Sequence, residues 1–331
     1  MARQANEPMP PDWGIENRDL RLVPRPACPL CGVGGHPLYR DLVDTVAGAP
    51  GRWNVSRCPN PACGLLWLDP APPVSSAAVA QRRDSIDTIV GCLRGQTPGR
   101  LLDVSCGDGA TIARMRELGW DAEGVDPDLG AVEAARARGL RVAHGTLAAQ
   151  GYPDERFDAV TLIHSIEHVH DPRAEVEECF RVMAPGGRLV IETPNAAAWC
   201  HRLLGAAWRG LEPPRHLQVF TLGTLARLAR EAGFHVERLR STAKAAGFYW
   251  SESMDPGRAR RAGASADQWS SGTALMAALG AASEAVLLAL VPDVGEELVM
   301  VAVKPAVVRE KLVEREEEVR SAPMLAPETA G

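Results

Sequence analysis

Two acidic residues on either side of a loop of small residues are the first sign of chemistry in this chain. Asp103 closes an apolar run, and the loop Ser105-Cys106-Gly107-Asp108-Gly109 follows it. Asp126 closes a second apolar run nineteen positions after Gly107. Small residues let a ligand approach the backbone, and a carboxylate can accept hydrogen bonds from both hydroxyls of a ribose. The spacing predicts a strand–loop–helix–strand unit that binds an adenosine cofactor.

The charges around this loop distinguish between adenosine cofactors. A dinucleotide loop would have no acid before it, because the pyrophosphate is an anion. Here Asp103 precedes the loop and Asp108 lies within it, and two carboxylates suit a ligand that carries an ammonium and a sulfonium. The segment resembles the Asp-x-Gly-x-Gly-x-Gly motif of class I S-adenosylmethionine-dependent methyltransferases, with Ser105 in the place of the first glycine.

Later segments follow the order of the same family. Residues 156–163 read as a buried parallel strand, 164–172 resemble its Glu-His-Val loop, and 184–195 resemble its Pro-Gly-Gly turn and fifth strand. The resemblance spans about residues 99–239 and implies S-adenosylmethionine as the cofactor. The residues that it assigns to the cofactor are Asp103, Ser105, Cys106, Gly107, Gly109, Asp126, Pro127, Thr146, Leu147 and His164.

The elements that must position these residues alternate between strand and helix, which indicates an α/β fold. The resemblance implies a Rossmann-like, doubly wound sheet of seven strands whose last strand, at 297–303, is antiparallel. We predict a methyltransferase domain over 76–304 with a helical insertion at 243–295. Residues 1–20 and 305–331 are expected to be disordered, the latter as a charged tail.

An apolar segment at 273–291 requires a membrane test. As a helix it would be roughly 28 Å long, close to the ~30 Å of a hydrocarbon core. Glu284 near the centre of the segment costs about as much free energy of membrane insertion as the apolar side chains contribute. We therefore expect this helix to pack on the catalytic domain or on a dimer partner. The first thirteen residues do not resemble a signal peptide, which predicts a cytoplasmic protein.

Four cysteines in residues 21–75 predict a zinc-ribbon module. Cys28 and Cys31 form one Cys-Pro…Cys-Gly turn, and Cys58 and Cys63 form a second one. Four thiolates complete a tetrahedral Zn²⁺ with no open position, so the ion would be structural. Reduced cysteines without metal, or an iron–sulfur site, are the alternatives.

Histidines near the expected strand ends are the candidate catalytic residues. Methyl transfer is an in-line displacement, so the enzyme must align the acceptor and remove its proton. His164, His168 and His216 are the candidates for that general base. A second hypothesis is that these three histidines and Glu167 hold a divalent metal, as in some related methyltransferases.

The cysteine module joined to such a domain is similar to bacterial methyltransferases of sugar, polysaccharide and natural-product pathways. A small or carrier-linked hydroxylated acceptor is therefore expected. The net charge of −6 argues against nucleic acid as a partner, although an RNA methyltransferase is the first alternative because Arg258, Arg260 and Arg261 form a basic cluster. A non-catalytic cofactor-binding scaffold is the second. The sequence leaves the acceptor, the methylated atom and the oligomeric state open.

Overall fold

The computed structural model describes residues 22–46, 48–72, 83–254 and 271–306. The expectations for residues 1–20, for the tail from 307 and for the arginine cluster of the insertion lie outside the described residues.

The strands and helices are numbered here along the chain. The strands are β1 (His36–Leu42), β2 (Trp53–Arg57), β3 (Leu66–Leu68), β4 (Arg100–Val104), β5 (Asp121–Asp126), β6 (Val142–His144), β7 (Phe157–Ile163), β8 (Met183–Pro194), β9 (Gln218–Val219), β10 (His235–Thr242) and β11 (Glu297–Val303). The helices are α1 (Arg83–Cys92), α2 (Ala110–Glu117), α3 (Leu129–Ala137), α4 (Pro172–Val182), α5 (Trp199–Leu204), α6 (Leu222–Glu231), α7 (Ala246–Met254) and α8 (Ser271–Leu288).

A seven-stranded sheet in the order β6-β5-β4-β7-β8-β11-β10 forms the centre of the fold. The five strands from β4 to β8 are parallel, and β11 is antiparallel to both of its neighbours. This confirms the α/β fold with a last antiparallel strand at 297–303. The chain order reverses between β4 and β7, and ligands of open α/β sheets bind at such a point, beyond the carboxyl ends of the strands.

Helices cover both faces of this sheet, and its central strands β7, β8 and β11 are therefore buried over most of their length. Residues of α1, α2 and α3 pack on one face around Ile112 and Val132, and residues of α4 and α6 pack on the other around Val176 and Leu225. The strand ends at which a ligand would bind are therefore held in place by packed helices on both faces of the sheet.

The cysteine module forms a second sheet that is not confined to the module. Its strands are β1, β2, β3 and β9, and β9 comes from the connection that follows β8. Leu66 pairs with Val219, and Trp67 pairs with Gln218. Cys28 also shares a hydrophobic cluster with residues of the large sheet. The domain boundary near residue 75 remains a prediction, but the packing across it is continuous.

The insertion before β11 contains α7 and α8, which pack on each other. A Cβ atom at Gly280 would lie 2.3 Å from the Trp250 ring, so the glycine permits this contact. Glu284 is fully buried and accepts hydrogen bonds from Trp250 Nε1 at 2.9 Å and from Glu296 N at 3.0 Å. Among the described residues, no helix is both long and apolar enough to cross a membrane.

Candidate active site

The loop after β4 has a left-handed backbone at the positions where the motif favours glycine. The φ angles of Ser105, Gly107 and Gly109 are 58°, 55° and 77°. A serine in this region is strained by its Cβ atom. Its hydroxyl group accepts a hydrogen bond from Ser165 Oγ at 2.8 Å, and its N–H donates to Val125 O at 2.8 Å. These contacts hold Ser105 in a conformation that glycine adopts without strain.

Asp126 ends β5 and organises the same loop. One carboxylate oxygen accepts a hydrogen bond from Gly107 N and the other accepts one from Asp128 N, both at 2.8 Å. The side chain is buried, and this burial raises the pKa of Asp126 above its ordinary value. Each oxygen keeps a second lone pair, so the carboxylate can still accept hydrogen bonds from a ribose.

The second buried acid, Asp103, lies on β4, which is the strand next to β5, and pairs there with Gly124. It accepts a hydrogen bond of 2.5 Å from Thr161 Oγ1, on the other neighbouring strand. Asp108, in contrast, is exposed and forms an ion pair of 3.1 Å with Arg138. The negative charge near the loop therefore comes from Asp103 and Asp126, and the sequence interpretation of Asp108 needs this correction.

Cys106 and Leu147 are buried, so their side chains belong to the core. A Cβ atom at Gly124 would lie 2.6 Å from Cys106 Sγ, which shows why the strand under the loop has a glycine. Pro127 and Thr146 are exposed. The predicted cofactor residues thus gather at the carboxyl ends of β4, β5, β6 and β7, and their roles remain predictions.

His164 follows β7 directly, with a φ angle of 50°. Its Nδ1 atom lies 3.2 Å from Glu167 Oε1, and its Nε2 atom lies 3.3 Å from Glu297 Oε1. Burial alone would lower the pKa of His164, but the hydrogen bonds with the two glutamates raise it to about 10. A protonated imidazole cannot accept a proton, so this position does not suit a general base.

His168 and His216 lie side by side with their ring centroids 4.9 Å apart. His168 Nδ1 is 2.9 Å from Arg215 O, and His216 Nδ1 is 2.8 Å from Gly210 O. A carbonyl only accepts hydrogen bonds, so each Nδ1 carries a proton, and Nε2 of a neutral ring then offers a lone pair. Burial lowers the pKa of His216 to about 4, so this ring is neutral at physiological pH.

Glu167 completes this group. It is fully buried and accepts a hydrogen bond from Thr193 Oγ1 at 2.9 Å. Burial would raise its pKa, but the hydrogen bond with His164 lowers it to about 2. Ligand atoms of Glu167, His168 and His216 all lie within 4.8 Å of one another.

The hypothesis of four metal ligands therefore needs a correction. Two imidazoles and an ionised carboxylate are suitable ligand types for a divalent metal, and the carbonyls that fix the rings are typical outer partners. His164 instead belongs to a separate group with Glu192 and Glu297, and both of its nitrogens face carboxylates.

The four cysteines of the module lie together. Sγ of Cys28 is 3.7 Å from that of Cys63, Sγ of Cys31 is 3.3 Å from that of Cys58, and all four sulfurs lie within 4.8 Å. Zinc–sulfur bonds of about 2.3 Å in a tetrahedron would place the sulfurs roughly 3.8 Å apart. All eight cysteines are free, so the cluster fits a structural zinc ion, which remains a proposal.

Buried charges join the cysteine module to the connection after β8. Arg215 forms two hydrogen bonds of 2.9 Å with Asp44, from the loop after β1, and a third of 2.7 Å with Glu212. Burial would raise the Asp44 pKa, but the Arg215 guanidinium lowers it. Asp44 and Glu212 belong to no motif, so sequence reasoning missed this contact beside His216.

Comparison with known proteins finds a family model, curated relatives and solved structures that are similar to parts of this chain. Residues 80–239 match the model of a family described as a methyltransferase domain. The ubiquinone biosynthesis O-methyltransferase of Alkalilimnicola ehrlichii is 33% identical over 132 residues, which are 37% of this chain and 53% of that protein. The protein of the same name from Thiobacillus denitrificans is 33% identical over 154 residues, 42% of this chain and 66% of that one. Among solved structures, the [4+2]-cyclase SpnF is 20% identical with a TM-score of 0.47, covering 70% of this chain and 85% of the cyclase.

The match and the resemblance agree on one family. Residues 80–239 form an S-adenosylmethionine-dependent methyltransferase domain of class I. The chain spans between about half and two thirds of the length of the two curated relatives.

Proposed function

We propose that this protein transfers a methyl group from S-adenosylmethionine to a hydroxyl group of a small or carrier-linked acceptor. The observation that carries the proposal is the pair of buried acids, Asp103 and Asp126, on either side of a left-handed loop. The names of the two relatives, both O-methyltransferases of ubiquinone biosynthesis, support oxygen as the methylated atom. Sugars, polysaccharide precursors and natural products remain within the proposed acceptor class.

In the proposed reaction, some residues would bind the cofactor and another would transfer the proton. S-adenosylmethionine, when bound, supplies a methyl group that its sulfonium has already activated. Asp126 would hold the ribose hydroxyls and so fix the position of the donor. The neutral His216, whose Nε2 offers a lone pair, would accept the proton from the acceptor hydroxyl as the oxygen attacks. His164 would keep the charges of Glu167 and Glu297 compensated.

Calorimetry with S-adenosylhomocysteine tests the cofactor part of this proposal. Asp126→Asn keeps the size of the side chain but replaces one acceptor by a donor, so we expect affinity to fall at least about tenfold. Asp121→Asn, at the exposed amino end of the same strand, is the matched control and should bind like the wild type. If the wild type takes up no S-adenosylhomocysteine, the proposal is wrong.

A panel of hydroxylated acceptors tests the second part. Products are followed by the mass increase of one methyl group, with His216→Ala as the variant and His235→Ala, an exposed histidine on β10, as the control. We expect the His216 variant to lose about 100-fold or more in rate, while its affinity for S-adenosylhomocysteine is retained. Equal rates for the two variants would remove His216 from the mechanism.

A metal-assisted reaction is the second candidate. It is favoured by the closeness of Glu167, His168 and His216 and by His168 Nε2, which is buried and has no hydrogen-bond partner among the described residues. If these residues hold Mg²⁺ or Mn²⁺, the metal would orient the acceptor oxygen and lower its pKa. His216 would then be a ligand rather than a base.

Mn²⁺ binding followed by electron paramagnetic resonance separates the two candidates. One tight site in the wild type that is lost in His168→Ala would favour the metal. Activity that EDTA removes and Mg²⁺ restores would agree, provided that the zinc content of the cysteine module is shown to be unchanged. Absence of a Mn²⁺ site together with EDTA-insensitive turnover would exclude this candidate.

A further inference from the structure

A cavity of about 350 Å³ lies between the cysteine module and the start of α5. Tyr39 of β1 and Arg57 of β2 line one side, and His201 and Arg202 of α5 line the other. Gly205 also lines it, and its missing side chain leaves space beside the Tyr39 hydroxyl. The methyl-transfer reaction proposed above uses none of these side chains.

The charge of this cavity is positive. Its lining contains two arginines and a histidine but neither aspartate nor glutamate. Arg57 is exposed and has no ion pair within the described ranges. Arg202 lies 3.3 Å from Asp293, and both of these side chains are 44% exposed, so the pair is weak in water. Burial lowers the pKa of His201, and the positive charges of Arg57 and Arg202 also lower it.

The polar wall between the arginines is rigid. His201 Nδ1 donates a hydrogen bond to Ala196 O at 2.7 Å, which leaves its Nε2 to accept one from the Tyr39 hydroxyl at 3.1 Å. The imidazole also stacks on Trp208 with a centroid distance of 4.6 Å. A fixed wall of this kind reduces the entropy cost of binding a ligand.

The cavity lies on the side of the large sheet where the methyl acceptor would bind. Ala196 and Ala197, which line it, lie two and three residues after the end of β8. The carboxyl end of β8 lies beside that of β7, where His164 begins the candidate active site. The cavity and the histidines therefore lie along the same edge of the sheet.

We propose that this cavity binds the diphosphoryl group of a nucleoside diphosphate carrier to which the methyl acceptor is attached. Guanidinium groups match phosphate oxygens in geometry and charge, and the volume exceeds that of one phosphate but suits a larger ligand. The assignment to a carrier rests on the proposed function, whereas the binding of a diphosphoryl group does not.

Calorimetry with the full chain loaded with zinc tests the proposal. The probes are inorganic phosphate, inorganic diphosphate and uridine diphosphate; adenine nucleotides are avoided because they could enter the cofactor site. We expect saturable binding of diphosphate at one site and binding of uridine diphosphate that is at least as tight. Arg57→Gln should weaken both at least tenfold, and Arg57→Lys should weaken them less because the charge is kept.

Arg94→Gln is the matched control, because it removes one exposed positive charge between α1 and β4, at a residue that does not line the cavity. An equal loss in this variant, or no saturable binding of any probe to the wild type, would overturn the site. Binding of inorganic phosphate without binding of uridine diphosphate would overturn the assignment of a nucleoside diphosphate carrier as the ligand. The affinity for S-adenosylhomocysteine is measured for the wild type and for each variant. If the wild type does not bind S-adenosylhomocysteine, the proposed function is contradicted but the diphosphoryl site is not.

Discussion

At the scale of single residues, the protonation state of each ionisable group in the candidate site depends on its neighbours more than on its residue type. His164 is a cation because two carboxylates face it, whereas burial keeps the neighbouring His216 neutral. Glu167 remains an anion in spite of complete burial, because His164 donates to it. Two histidines of one small region thus differ in pKa in opposite directions, and only the neutral one can accept a proton at neutral pH.

Ser105 allows a test at this scale that does not depend on the reaction. Its positive φ angle costs of the order of 1–2 kcal/mol for a residue with a Cβ atom, and the hydrogen bond from Ser165 offsets about 1 kcal/mol. Ser105→Gly removes the strain and the hydrogen bond together, so its free energy of unfolding should stay within about 1 kcal/mol of the wild type. Ser105→Ala keeps the strain and loses the hydrogen bond, so it should be about 1 kcal/mol less stable. Urea denaturation measures both, and an alanine variant more stable than the glycine variant would contradict the argument.

At the scale of elements, local patterns together with the family resemblance predicted the large sheet but not the small one. The apolar run of β11 and the small-residue loop after β4 are continuous in the sequence, so the strand and the loop could be located directly. In contrast, β9 has two residues, and its pairing with β3 joins distant parts of the chain. Asp44 and Arg215 are 171 positions apart. Contacts of this kind depend on the tertiary fold, so no local periodicity indicates them.

The carboxylates that attach α8 to the start of β11 give a prediction for the insertion. Burial and, to a smaller extent, the charge of the adjacent Glu284 raise the pKa of Glu296 to about 9. The folded protein therefore keeps a proton that the unfolded chain releases near pH 4.5, so this group destabilises the fold as the pH rises from about 4.5 to 9. We expect the free energy of unfolding of the wild type to fall by more than about 1 kcal/mol over this window relative to Glu296→Gln.

Urea denaturation at pH 5, 7 and 9 measures this dependence. The comparison concerns the slope with pH, because glutamine also loses one of the hydrogen bonds that Glu296 accepts from Trp208 and Cys200. Glu133→Gln, on the exposed face of α3, is the control and should keep the slope of the wild type. Parallel slopes for the wild type and Glu296→Gln would show that no proton is held at this pair.

At the scale of the whole molecule, the cysteine cluster is connected to the candidate active site through one continuous sheet. Cys63 lies next to β3, and β3 pairs with β9. The N–H groups of Leu217 and Gln218 donate to Glu167 O at 2.8 and 3.3 Å, and the Gln218 side chain donates to Ile166 O and Val169 O. The loop that carries Glu167 and His168 is therefore held by a strand of the cysteine module's own sheet.

This connection predicts that zinc stabilises the active-site loop and not only the module. If the four cysteines hold zinc, its removal deprives β1, β2 and β3 of a binding energy of the order of 10 kcal/mol, and β9 then loses its partner strand. Amide hydrogen exchange should become at least tenfold faster at Leu217 and Gln218 and in residues 166–169. The amides of β4 and β5, which pair only within the large sheet, should exchange at unchanged rates. Reloading with zinc should restore the protection, which excludes irreversible unfolding as the cause. Faster exchange confined to residues 28–63 would show instead that the module and the active-site loop are independent.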